Sequence, residues 1–232
     1  MALAESLRIV LAPPHPAGRP FIVGGLVVAV VGLLVSLWLV WLGVIFAVFC
    51  LYFFRDPERV PPGRANAVLA PADGHVVSVM TAVPPAELDL GDTPRWRVAI
   101  FLSVLDVHVN RMPVAGTVTR IAYRHGKFVS ANLDKASADN ERNSLVIATP
   151  GARVAVVQIA GLIARRIVCF AREQQPMGAG ERFGMIRFGS RLDVYLPEGT
   201  SPLVAIGQTS LAGETVLADL KANGEARAFR AG

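Results

Sequence analysis

Residues 184–197 read GMIRFGSRLDVYLP, and Gly189 with Ser190 is the pair in the chain whose types and order could do the most chemistry. A glycine can take φ above zero and leaves its own carbonyl uncrowded, so a following serine hydroxyl can reach that carbon. Attack of Ser190 Oγ on the Gly189 carbonyl is an N-to-O acyl shift, which exchanges the amide for an ester. β-Elimination then gives dehydroalanine, and hydrolysis leaves a pyruvoyl group at a new N-terminus. The plainer reading is a Gly-Ser turn in a β-hairpin, because β-prone residues flank the pair on both sides.

Three other segments gather polar side chains. Residues 70–76 (APADGHV) put Asp73 at a Pro/Gly-defined turn between two strands. A turn aspartate that bonds its own backbone accounts for it equally well. His75 reads as a strand side chain. In residues 101–113 (FLSVLDVHVNRMP) an apolar strand ends in a dense polar group. A period of two places Asp106, His108 and Asn110 on one face, a geometry suited to orienting an imidazole. Residues 125–143 (HGKFVSANLDKASADNERN) form the longest polar loop. His125, Lys127, Lys135 and Arg142 are candidates for contact with a phosphate head group, against the reading of a solvated loop.

The elements that must position these residues fall into two parts. Residues 21–54 carry no charged side chain and account for the high hydrophobic content of 53%. The run lacks the small-residue cleavage site of a signal peptide and ends in Tyr52-Phe53-Phe54-Arg55, so it reads as a retained membrane anchor preceded by a tail, residues 1–20. It exceeds the span of about 20 residues that one upright helix needs. A helical hairpin bent near residues 32–36, a shallow re-entrant pair and one strongly tilted helix all fit. Arginines on both flanks (Arg8 and Arg19; Arg55, Arg59 and Arg64) favour a hairpin with both ends cytoplasmic, which places a catalytic domain on the cytoplasmic side of the inner membrane.

A Pro-rich linker, residues 55–63, leads into residues 64–232. There short β-prone runs recur at 67–70, 75–80, 97–102, 116–123, 144–149, 154–159, 166–170 and 192–196. Spacing near ten residues predicts a mainly β domain, a sandwich or barrel-like fold, with residues 89–94 and 174–181 as loops. Residues 162–164 and 213–220 match neither period. A net charge of +5 suits an anionic membrane surface. Lysines and arginines do not cluster with aromatics, which argues against nucleic acid. Cys50 and Cys169 share no metal-ligand spacing with the four histidines, so neither a disulfide framework nor a metal site is expected.

As a set, FFRDPER after the apolar run, PADG, DVHVNRMP, HGKF followed by NERN, and RFGSRLDVYLP resemble the short form of the phosphatidylserine decarboxylase family, over about residues 50–200 and in the family's order. The resemblance implies a proenzyme that cuts itself between Gly189 and Ser190 into a β chain, 1–189, and an α chain, 190–232. It implies a pyruvoyl cofactor derived from Ser190, which forms a Schiff base with the substrate amine, and it assigns catalytic roles to Asp73 and His108. Phosphatidylserine would lose CO2 to give phosphatidylethanolamine. Departing CO2 leaves a carbanion that needs an electron sink, and no Schiff-base lysine for pyridoxal phosphate stands out. Two positions depart from the long forms of the family: Arg111 replaces a second histidine, where it would hold a substrate or product anion, and Arg191 replaces a small residue. A pyruvoyl decarboxylase for another head-group amine or an ether lipid is the near alternative. A membrane-anchored adaptor of an export system is the distant one, suggested by the lipoyl-like VLAPADGHVV, although the long heptad coiled coil it needs is missing. The sequence leaves homo-oligomerisation open.

Overall fold

The computed structural model describes residues 10–127, 139–161, 166–187 and 189–221. Arg8, Phe188, Lys135 and residues 162–164 lie outside them. The chain forms two compact units, which divide between Glu58 and Arg59.

The first unit is a helical hairpin. Helix α1 (Arg19–Val35) is broken at Ser36, whose extended backbone (φ −168°, ψ 137°) begins helix α2 (Leu37–Phe53). Ser36 Oγ accepts from Trp38 N at 3.4 Å and so caps the second helix. Small residues line the seam between them. A Cβ on Gly43 would lie 2.4 Å from Ala29 N, and one on Gly32 would lie 2.5 Å from Val40 N. Backbones approach this closely only where side chains are minimal, as in packing between membrane helices. The opposite faces expose large apolar side chains, among them Leu34, Trp38 and Ile45. Pairing of Pro14 with Arg55, and the His15 N to Phe54 O bond of 2.7 Å, tie the two ends together. The segment Pro16–Val35 is long and apolar enough to cross a membrane.

The second unit is mainly β. Its strands are β1 (Ala67–Leu69), β2 (Gly74–Ala82), β3 (Arg95–Leu102), β4 (Val109–Arg111), β5 (Gly116–Arg124), β6 (Arg142–Thr149) and β7 (Ala152–Ala160). They continue with β8 (Ile167–Cys169), β9 (Pro176–Met177), β10 (Arg182–Ile186), β11 (Ser190–Tyr195), β12 (Thr209–Ser210) and β13 (Val216–Asp219). An eight-stranded antiparallel sheet runs β12-β2-β3-β11-β7-β6-β5-β9 and curls as a half-barrel. A small sheet, β4-β10-β8, and the pair β1-β13 complete the unit.

Both faces of the central strands are covered. Ile100, Leu145, Val156 and Leu192 face the main core, while Val146, Val157, Ile159 and Tyr195 pack against Leu88 and Leu90. The second half of β6, residues 145–148, and most of β7 therefore read as nearly continuous apolar runs, as strands buried on both sides do, whereas β11 is equally buried but carries Ser190, Arg191 and Asp193.

Three expectations change. Residues 101–113 are not one strand: β3 stops at Leu102, a turn follows, and β4 starts at Val109. Asp106 lies in the turn, so the shared face for Asp106, His108 and Asn110 does not exist. Residues 213–220 contain β13, and the presumed loop 174–181 contains the short strand β9.

Candidate active site

Strand β11 sits between β3 and β7, and Ser190 is its first residue, paired with Leu102 on one side and Ala160 on the other. The preceding strand, β10, belongs to the small sheet. The chain thus crosses from one sheet to another within three residues, and Gly189 makes the crossing with φ +69°. A Cβ there would meet nothing within 4 Å, so the glycine is required by its backbone angle and not by crowding. Ser190 is fully buried, and its Oγ has no hydrogen-bond partner among the described residues. A buried hydroxyl without a partner is costly, and native structures keep few of them.

Asp73 ends the turn before β2. Its Oδ1 accepts from Ala212 N at 2.8 Å, and its Oδ2 pairs with Arg59 Nη2 at 2.6 Å. Gly74 must be a glycine, because a Cβ would fall 2.1 Å from Phe101 O. That close approach brings the Asp73 turn to the end of β3, next to the strand position beside Ser190. Arg111 N donates to Pro71 O at 2.9 Å, which brings β4 to the same turn.

His108 is fully buried just before β4, with Nδ1 2.9 Å from the backbone oxygen of Asp106. A carbonyl only accepts, so Nδ1 is the donor in this bond, and in the neutral form of the ring the lone pair lies on Nε2. The imidazole is therefore oriented by the main chain of Asp106. Its carboxylate turns away and accepts from Ser103 N at 2.7 Å.

The described cations named above as candidates for anion contact have partners within the chain. Arg142 is buried and donates to Glu87 Oε1 and Oε2 at 2.5 and 3.0 Å. Burial opposes ionisation of Glu87, but the hydrogen bonds and charge of Arg142 hold its carboxyl below the usual value. Arg111 donates to Gly180 O at 2.9 Å. Lys127 lies 3.8 Å from Asp139, and the exposed His125 lies 3.7 Å from Glu141. Tyr123 donates to Glu141, and burial followed by that acceptor raises its pKa to about 12. Arg191 points to the face opposite Ser190. It is completely buried and pairs with Asp193 through Nε at 2.6 Å and Nη2 at 3.3 Å.

Sequence reasoning missed a buried amide chain. Asn143 Nδ2 donates to Gln158 Oε1 at 2.8 Å, and Gln158 Nε2 donates to Asn110 Oδ1 at 2.8 Å. The chain stitches the large sheet to the small one under the Ser190 end of β11. Gln158, the lone polar residue in the apolar run of β7, was the available signal. Arg59, placed in a linker by composition, gave none. Among the described residues no three His, Cys, Asp or Glu side chains gather as a metal site.

The fold and site define a class: a mainly β protein with an apolar helical hairpin and a buried serine at a sheet-to-sheet crossing. Residues 46–218 match the family model described as phosphatidylserine decarboxylase, and the chain belongs to that family. It is 72% identical over 221 residues to a phosphatidylserine decarboxylase proenzyme of Granulibacter bethesdensis, covering 95% of this chain and 91% of the relative. Proenzymes of the same name from Gluconacetobacter diazotrophicus and Gluconobacter oxydans are 61% and 58% identical, each covering 95% of this chain and 100% of the relative.

Proposed function

We infer that this chain is a phosphatidylserine decarboxylase that matures by cutting itself between Gly189 and Ser190. The observation that carries the reading is the left-handed Gly189 directly before a buried, unpartnered Ser190 hydroxyl at the head of a central strand. Ser190 Oγ adds to the Gly189 carbonyl carbon, the peptide C–N bond breaks, and an ester joins the two residues. Removal of the Ser190 α-proton expels the Gly189 carboxylate, and hydrolysis with loss of ammonia completes the new end of the α chain, 190–232. The pyruvoyl group left there supplies the electron sink that decarboxylation of an amino-acid head group requires. Ser190 is buried at the head of β11, where it pairs with Leu102 and Ala160.

His108, with its lone pair on Nε2, takes the proton of Ser190 during maturation and gives a proton to the carbon that has lost CO2 during turnover. Asp73, anchored by Arg59 and Ala212 N, supplies negative charge close to the reacting strand ends. The hairpin holds the unit at the bilayer, with both hairpin ends on the cytoplasmic side, so that the head group of a membrane lipid reaches the site.

The test is release of CO2 from phosphatidylserine in mixed micelles by the purified full chain. Wild-type protein is expected to form phosphatidylethanolamine, and His108→Ala to lose that activity. Undiminished decarboxylation by His108→Ala would remove His108 from the site.

A further inference from the structure

Asn110 is fully buried, and its Nδ2 has no hydrogen-bond partner among the described residues, a state it shares with Ser190 Oγ. The amide is held at one end only. Gln158 Nε2 donates to Asn110 Oδ1 at 2.8 Å, and Asn143 Nδ2 fixes Gln158 from the far side at 2.8 Å. Donation runs one way along this chain, so the N–H groups of Asn110 are left over at its end. Buried donors without acceptors are rare in native structures, and each asks for an explanation.

The strand registers place this donor beside Ser190. Ala160 is the partner of Ser190 across β7 and β11, and Gln158 lies two residues before it, so the Gln158 and Ser190 side chains leave the same face of the large sheet. Diagonal neighbours of that kind lie about 7–8 Å apart. The small sheet covers this face at Gln158. Asn110 pairs with Gly184, and a Cβ on Gly184 would lie 2.7 Å from Gln158 Nε2. The Asn110 amide, bonded to Gln158, thus meets the sheet face that carries the Ser190 hydroxyl.

Self-cleavage creates a negative charge at this place. As Ser190 Oγ bonds to the Gly189 carbonyl carbon, the π pair of that carbonyl moves onto its oxygen and the hydroxyl proton goes to His108 Nε2. The oxyanion is two bonds from Oγ, so a donor that reaches the hydroxyl reaches it as well. Collapse restores the carbonyl, breaks the C–N bond and passes the proton to the Ser190 nitrogen. A neutral amide fixed in advance stabilises such a charge without reorganisation. Aimed instead at the carboxylate of a bound serine head group, it would hold the charge that must leave as CO2 and so slow that step.

Resting on the self-cleavage reading above, we propose that Asn110 is a catalytic residue of maturation, whose Nδ2 donates to the oxyanion formed at Gly189. The test follows cleavage of freshly synthesised full-length Asn110→Ala, Asn110→Ser and Asn110→Asp by intact mass, with melting curves of each in the uncleaved Ser190→Ala background; the variants that fold carry the comparison. Asn110→Ala should cleave about 100- to 1,000-fold more slowly than wild type. Asn110→Ser, which keeps a hydroxyl donor, should recover part of the rate. Asn110→Asp keeps the acceptor for Gln158 and lacks the donor while ionised, so its rate relative to wild type should rise as pH falls and the carboxyl regains a proton. Hydroxylamine, which cuts esters far faster than amides, should trap less ester in Asn110→Ala than in wild type. Wild-type cleavage rates in the folded variants would overturn the proposal. So would ester that accumulates in Asn110→Ala, since Asn110 would then act after the shift. Equal slowing in all folded variants at every pH, or loss of folding in all three, would make Asn110 a structural residue and also overturn it. A wild-type chain that stays uncut would refute the self-cleavage reading itself, and the proposal with it.

Discussion

Gly189→Ala isolates the backbone contribution to self-cleavage. A Cβ at this position touches nothing within 4 Å, so the substitution adds no steric clash. Its cost is the left-handed backbone at φ +69°, about 1–2 kcal/mol for a residue with a Cβ. If alanine keeps the angle, that cost lowers stability and shifts the melting temperature by several degrees at most. If alanine relaxes to negative φ, the Gly189 carbonyl swings away from Ser190 Oγ and the competent geometry becomes about 5- to 30-fold rarer. Asparagine tolerates the left-handed region better than alanine, and a β-branched residue tolerates it least. The expected order of cleavage rates is therefore Gly, Asn, Ala, Val. The assay is an intact-mass time course on freshly synthesised protein, with melting curves on the same samples. Cleavage of Gly189→Val at the wild-type rate, with folding intact, would refute the claim that this backbone angle sets up the attack.

Two further predictions concern stability. Asp193→Asn leaves the fully buried Arg191 without its carboxylate, which should cost about 3–5 kcal/mol and lower the melting temperature markedly; thermal unfolding of the uncleaved Ser190→Ala background measures it, and a shift under one degree would contradict it. Burial, and then the charge of Asp193, raise the Tyr195 phenol to about 12. The folded state then holds this proton more tightly than the unfolded chain, so the stability is present below the ordinary tyrosine value and is lost as pH rises from about 10 to 12. Tyr195→Phe should flatten that alkaline loss in denaturant titrations, and an unchanged slope would show that Tyr195 does not cause it.

Much of this arrangement is written locally in the chain. The apolar runs in β6 and β7 announce strands because both of their faces are buried, and the uncharged run before Arg55 announces a membrane-type segment while leaving a hairpin and a tilted helix open. Gly189 and Ser190 are legible only together with the other motifs, since the pair alone reads more plainly as a hairpin turn. The turn at 103–106 was hidden because VLDVHV keeps its alternation straight through the bend. The pairing of Asp73 with Arg59, and the bridge from Asn143 through Gln158 to Asn110, depend on strands far apart in sequence. No local pattern encodes which partners tertiary packing brings together.

The most direct test of the central claim is the intact mass of purified wild-type protein beside Ser190→Ala. Wild type should appear as fragments 1–189 and 190–232, the second with a blocked N-terminus whose mass matches a pyruvoyl group in place of serine, while Ser190→Ala stays full length. A Ser190→Ala chain that still splits between residues 189 and 190, or an uncut wild-type chain that decarboxylates phosphatidylserine, would contradict the account.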